Sequence, residues 1–124
     1  MRSSGQALVD RYLDLLRTQG KSDKTIYAYR VDLEQLLHYL AEMAPELELA
    51  ELKPPHIRGF MLMLYEKQDS NRSLARKTSA LRGFFNWLKA EDLIIDNPMK
   101  TIKRPKFQRK LPKFFTIDEM EQLL

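Results

Sequence analysis

The chain has 124 residues, of which 44% are hydrophobic, with no cysteine and a formal net charge of +4 at pH 7. This is enough apolar material for one packed domain, and no apolar run is long enough to span a membrane. The lack of cysteine excludes a disulfide framework and a thiolate metal site. The first residues hold no apolar segment leading to a small-residue cleavage site, so a cytoplasmic location is expected.

Residues 1–5 read as a flexible start. From Gln6 the pattern is helical, with Leu8, Tyr12, Leu15 and Leu16 on one side, and Gly20 is a C-terminal stop. Ser22 suits the N-cap of a second helix and Asp23 its positive end. Ile26, Tyr29, Leu33, Leu36, Leu37 and Leu40 give that helix an apolar face ending near Met43. Its opposite side presents Lys24, Tyr27, Ala28, Val31 and Gln35, an unusual set for a purely solvated surface. It is either a second core side or a contact surface.

An acidic loop follows, with Glu46, Glu48 and Glu51. Pro54 and Pro55 fit the first turn of a third helix. Ile57, Phe60, Met61 and Leu64 form its core stripe, and Leu62, Met63 and Tyr65 widen the apolar surface, so burial on more than one side is expected. The stretch 70–90 then carries five Lys/Arg and no acid. Leu74, Thr78, Leu81, Phe85 and Leu88 recur at helical spacing. The face opposite Leu81 holds Arg72, Arg76, Ser79 and Gly83. Small residues allow close approach and arginines bind anions, which suits a phosphate backbone or a major groove. A solvated surface helix that happens to be basic is the alternative. Ser70 or Ser73 caps this helix.

Asn97-Pro98 ends regular structure. Six bases and no acid lie between positions 103 and 113, among prolines, in a linker composition. Thr116 and Glu119 then form a capping box that opens a new helix. The expected organisation is a helical domain over 1–100, a basic linker over 101–113 and the opening of a second domain over 114–124. The acidic stretch and the basic stretches give the molecule an oriented field that steers a polyanion to one face.

No Gly-rich phosphate loop, HExxH or GxSxG occurs, and no cofactor is expected. His38 is expected beside the core of the second helix and His56 at the start of the third. Neither is read as a ligand or a base.

Taken in register, LVDRYLDLL, KSDKTIYAYRVDLEQLLHYL, SLARKTSALRGFFNWLKAEDLIIDNP and IKRPKFQRKLPKFFTIDEMEQLL resemble the N-terminal half of a tyrosine recombinase of the lambda-integrase family, Xer-like members in particular. The most specific pieces are Thr25, Tyr29, Asp32 and Leu33, and 79–82 with Phe84, Phe85 and Leu88. The resemblance implies an all-α, four-helix orthogonal or antiparallel bundle, a SAM-like core-binding domain that clamps duplex DNA from one side. It implies DNA contacts at Lys24, Thr25, Tyr27 and Ala28 of the second helix, and Lys21 at the start of that helix is a further candidate contact. In the fourth helix it implies Ser73, Arg76, Lys77, Ser79 and Arg82, to which the basic face of that helix adds Arg72. The linker bases Lys103, Arg104 and Lys106 join them.

Val31 stands where close relatives often carry a base, and Tyr27 is bulkier than the polar residue often found there. The second helix is therefore expected to contact mainly sugar and phosphate. The family's catalytic arginines, lysine, histidine or tryptophan, and nucleophilic tyrosine belong to the second domain, and none is assigned here. Implied partners are duplex DNA, the catalytic domain of the same protein and further protomers in a synaptic tetramer, with no membrane. A helical protein-interaction module and a helix-turn-helix regulator are the competing readings. Steep salt dependence separates DNA binding from the first, and a stable dimer on a palindrome marks the second.

Overall fold

The computed structural model describes residues 2–67 and 70–102. They form α1 (Arg2–Thr18), α2 (Asp23–Met43), a single 3-10 turn (Leu49–Glu51), α3 (Pro54–Glu66) and α4 (Asn71–Ala90). No strand occurs among the described residues. The expected linker beyond Ile102, the contacts Lys103, Arg104 and Lys106, and the Thr116 helix lie outside them.

The ends of the helices follow local chemistry. Gly20 sits at φ +85° after α1, its N–H bonded to Arg17 O and that of Lys21 to Leu16 O. This paired pattern closes the helix on orphan carbonyls and favours a residue without Cβ. Ser22 Oγ accepts the Thr25 N–H at 3.1 Å to start α2, and Ser70 Oγ accepts the Ser73 N–H at 3.1 Å to start α4. Pro54 and Pro55 open α3, where His56 Nδ1 accepts the Lys53 N–H at 3.0 Å. His56 thus satisfies a helix-end donor. α4 ends like α1, with Asp92 at φ 61° and the Leu93 N–H on Leu88 O.

The short turn between α1 and α2 makes them antiparallel neighbours. Gln6 reaches Glu34 at 3.0 Å and Arg30 reaches Asp10 at 3.3 Å across the pair. The core draws Val9, Tyr12, Leu13 and Leu16 from α1, and Ile26, Leu33, Leu36 and Leu40 from α2. Ile57, Phe60 and Leu64 come from α3, and the whole predicted stripe of α4 joins them with Phe84. Met99 and Ile102 are buried too, so packing against the bundle continues through Ile102.

Several expectations are corrected. The chain is helical from Arg2, and Gly5 is buried with its Cβ position 3.3 Å from Leu37, because a bare backbone lets α1 start close against α2. The buried stripe of α1 centres on Val9 and Leu13, while Leu8 and Leu15 are only partly covered. Leu62 and Tyr65 are exposed at the rim of an apolar groove of about 520 Å³ with Leu74 and Ile102, since α3 packs on one side only among the described residues. His38 points outward and pairs with Glu42 one turn on, at 3.3 Å.

Gly83 is also reassigned. A Cβ there would lie 2.5 Å from Tyr12 Oη, so this glycine admits the phenol of α1. Tyr12 is held by Phe84 and Trp87, both with ring centroids 5.6 Å away. Burial, then the neighbouring Tyr29, pushes its pKa above the ordinary tyrosine value.

Two polar side chains complete the frame. Asp32 of α2 is 1% exposed. Its carboxylate accepts Arg76 Nε at 2.9 Å and Arg76 Nη2 at 2.8 Å, a two-pronged grip, together with Lys77 Nζ at 2.9 Å. Lys77 is 7% exposed. A buried carboxylate is tolerable only with such donors, and removing one partner of a buried pair leaves an uncompensated charge.

Asp32→Asn is expected to lower unfolding free energy by about 3 kcal/mol in urea titration. Adding Lys77→Met should recover part of it, because no unpaired ammonium then remains. A loss below about 1 kcal/mol, the range of a surface ion pair, would show that this junction does not tie α2 to α4. Gly83→Ala is expected to lower the thermal midpoint, as overpacking costs about 1–3 kcal/mol against at most about 1 kcal/mol of helix propensity gained. Tyr12→Phe in the same chain should restore it, since the next nearest ring atom, Cζ, lies 3.7 Å away.

Candidate nucleic-acid interface

α2 turns four environments outward around its axis. Ile26, Leu33 and Leu40 face the core, Asp32 faces α4, and Arg30 and Glu34 face α1. The remaining side carries Lys24, Tyr27, Val31 and Gln35 at spacings of three and four. Lys24 is exposed, Tyr27 is 68% exposed and Val31 41% exposed. Ala28, half-buried, lies one turn before Asp32 and fills the angle between this side and α4. A small residue there keeps the junction shallow.

α4 is divided along its length. In its N-terminal half Arg72 is exposed, Ser73 and Ser79 are half-buried, and Arg76 shows 44% of its side chain while gripping Asp32. In its C-terminal half the same side is partly covered, because Tyr12 sits on Gly83 and Trp87. The open surface therefore comprises the outer side of α2 and the first turns of α4, joined at Asp32.

Of the sequence-derived contacts, Lys21, Lys24, Tyr27, Arg72 and Arg76 lie at the surface. Thr25, Ala28, Ser73 and Ser79 are partly exposed. Thr25 also serves the cap, its Oγ1 accepting from Ser22 Oγ at 3.0 Å. Lys77 does not reach this surface, because its amine is drawn inward to Asp32. Arg82 is turned away as well. Its Nη2 donates to Ile102 O at 2.8 Å and its Nη1 to Met99 O at 3.5 Å. With Asn97 Nδ2 on Asn86 Oδ1 at 2.8 Å, it fastens the segment leaving α4.

Asp32 is the residue whose role sequence patterning missed. Its signal is a carboxylate one position before the core residue Leu33, on the bundle side of the helix. Arg58 and Lys67 are exposed on the α3 side of the molecule, away from the Asp32 junction in sequence and element. Among the described residues, no group of three or more His, Cys, Asp or Glu is placed to hold a metal, and no helix is long and apolar enough to cross a membrane. The surface offers cations, hydroxyls and two apolar side chains.

Comparison with known proteins agrees with the all-helical fold. Residues 9–92 match the model of the phage integrase N-terminal SAM-like domain. The chain is 36% identical over 120 residues to tyrosine recombinase XerC of Thermodesulfovibrio yellowstonii, covering 96% of this chain and 38% of that protein. It is 36% identical over 124 residues to tyrosine recombinase XerC of Listeria innocua, covering 99% of this chain and 41% of the relative. To tyrosine recombinase XerC of Pseudomonas syringae pv. tomato it is 37% identical over 117 residues, 94% of this chain and 39% of the relative. The chain thus spans about two fifths of the length of these relatives. No solved structure matches it. A matched domain that covers most of the bundle, from Val9 in the core of α1 to Asp92 in the turn after α4, makes this chain a member of the phage integrase N-terminal SAM-like family.

Proposed function

We propose that the chain binds duplex DNA as the N-terminal, core-binding part of a site-specific tyrosine recombinase. It grips one side of the duplex through α2 and the first half of α4. Residues 101–113 lead as a basic linker toward a catalytic domain that begins near 114. That domain supplies the nucleophilic tyrosine for cleavage and strand exchange, and the chain itself supplies no catalytic group. Further protomers of the same recombinase assemble with it on DNA as a synaptic tetramer, working where the chromosome is, in the cytoplasm.

The observation supporting this reading is the junction of α2 and α4 at Asp32. It sets Lys24 and Ala28 on one helix, and Arg72, Arg76 and Ser79 on the other, within about two turns of one point. Cations beside small and hydroxyl side chains allow close approach to phosphate and sugar. The printed names of the relatives, tyrosine recombinases, favour the same substrate.

Arg76→Glu would set a second carboxylate on Asp32 and disturb the fold, so Lys24 and Arg72 make the cleaner test. The double variant Lys24→Gln/Arg72→Gln is expected to weaken binding to duplexes of any sequence. It should also flatten the dependence of log affinity on log salt by about two, roughly one for each phosphate no longer neutralised. Fluorescence anisotropy over a salt series measures both, with circular dichroism to verify the fold. Unchanged affinity and slope would move the interface elsewhere, and salt-insensitive binding of a protein partner in place of DNA would favour an interaction module.

A further inference from the structure

The open side of α2 contains two side chains that phosphate binding does not use. Tyr27 and Val31 lie one turn apart, and both are exposed beside Lys24. Covering two apolar groups at this spacing is favourable, since burying each CH₂ recovers about 0.8 kcal/mol. The basic charge around the pair states what covers it. Lys21 in the preceding turn and Lys24 on α2 come before it, and Arg72 and Arg76 lie across the junction, Arg76 shared with Asp32. The acids near it are Asp23 in the first turn and Glu34, which is paired with Arg30. The occupant is therefore a polyanion that also offers apolar surface.

In duplex DNA the apolar feature of the major groove is the C5-methyl group of thymine, which sits in reach of apolar side chains on a helix laid in that groove. The departures from the resembled family at Tyr27 and Val31 leave α2 on sugar and phosphate; the exposure of the same two side chains directs it deeper, to base edges. Ala28 favours the approach, since a larger residue at the angle between the helices would hold the groove off.

We infer that Tyr27 and Val31 are specificity-determining residues that read thymine methyl groups in the DNA site. The inference rests on the DNA-binding reading above. It assigns sequence preference to apolar contact, while Lys24 and Arg72 supply affinity without preference.

The test compares a defined A·T-rich duplex with the same duplex containing deoxyuridine in place of every thymidine, which removes the methyl groups and leaves each hydrogen-bonding edge intact. The whole 124-residue chain is titrated against both at low salt by anisotropy. The thymidine duplex is expected to bind about fourfold more tightly for each methyl group touched, the equivalent of about 0.8 kcal/mol. Val31→Ser and Tyr27→Ser should each reduce that ratio, read for each variant against its own affinity for the deoxyuridine duplex. Both positions are exposed, so the fold should be retained, and circular dichroism verifies it. Equal affinity of the parent chain for the two duplexes overturns the inference and leaves the DNA-binding reading standing. No binding to either duplex overturns that reading itself. Self-association in the absence of DNA that Tyr27→Ser abolishes would put a second copy on this stripe and overturn the inference.

Discussion

One carboxylate determines how the two outer helices meet. Asp32 is removed from water by the packing of α2 on α4, and an unpaired charge there would cost several kcal/mol. Three N–H groups from adjacent residues of one helix answer it. Hydrophobic contact alone is tolerant of sliding, because leucines repack with little loss. A bidentate guanidinium on a buried carboxylate is not tolerant, since its geometry is satisfied in one register. The register of α2 on α4, and with it the spacing of Lys24, Ala28, Arg72 and Ser79, follows from this contact.

A second constraint acts at the far end of α4. Tyr12, Phe84, Phe85 and Trp87 form a continuous aromatic cluster, with Arg11 over the Trp87 ring at 5.4 Å. The absence of a side chain at Gly83 lets α1 enter it. One end of α4 is therefore committed to holding α1, and the other end is left open. A helix that looks uniformly basic and small along one side is used in two ways. Arg82 belongs to the committed end, where it holds carbonyls of the departing segment.

The features legible in the sequence are those fixed by neighbours a few residues away. Ser22, Ser70, Pro54, Pro55 and Gly20 stand where a helix end needs an acceptor, a missing donor or a positive φ. The α4 stripe was legible because a period of 3.6 is local. What the helical wheel could not show depends on partners distant in the chain. Lys77 meets Asp32 across 45 positions, and Arg82 meets Ile102 across 20. Gly83 looks the same on a wheel whether it faces a duplex or a tyrosine. Leu62 and Tyr65 widen the apolar surface of α3 in the sequence yet stay exposed, because composition counts apolar residues without knowing how many sides of a helix are covered.

The placement of cations has a consequence for how affinity and preference divide under the proposed function. Counting charge along α4 overstates what is offered to a polyanion, because Lys77 and Arg82 satisfy internal acceptors and Arg76 shares its guanidinium with Asp32. Each cation held internally is one fewer counterion released on binding, so the salt-dependent part of the affinity is smaller than the sequence suggests. The same pairing gives the surface rigidity, since an arginine fixed on a carboxylate loses little further freedom when it meets a phosphate. A modest electrostatic term from an ordered surface suits a domain that must be positioned on DNA and later released. Tight, sequence-blind adhesion would work against turnover. In such a surface, discrimination falls to the groups that charge does not use, which on α2 are a phenol ring and a valine.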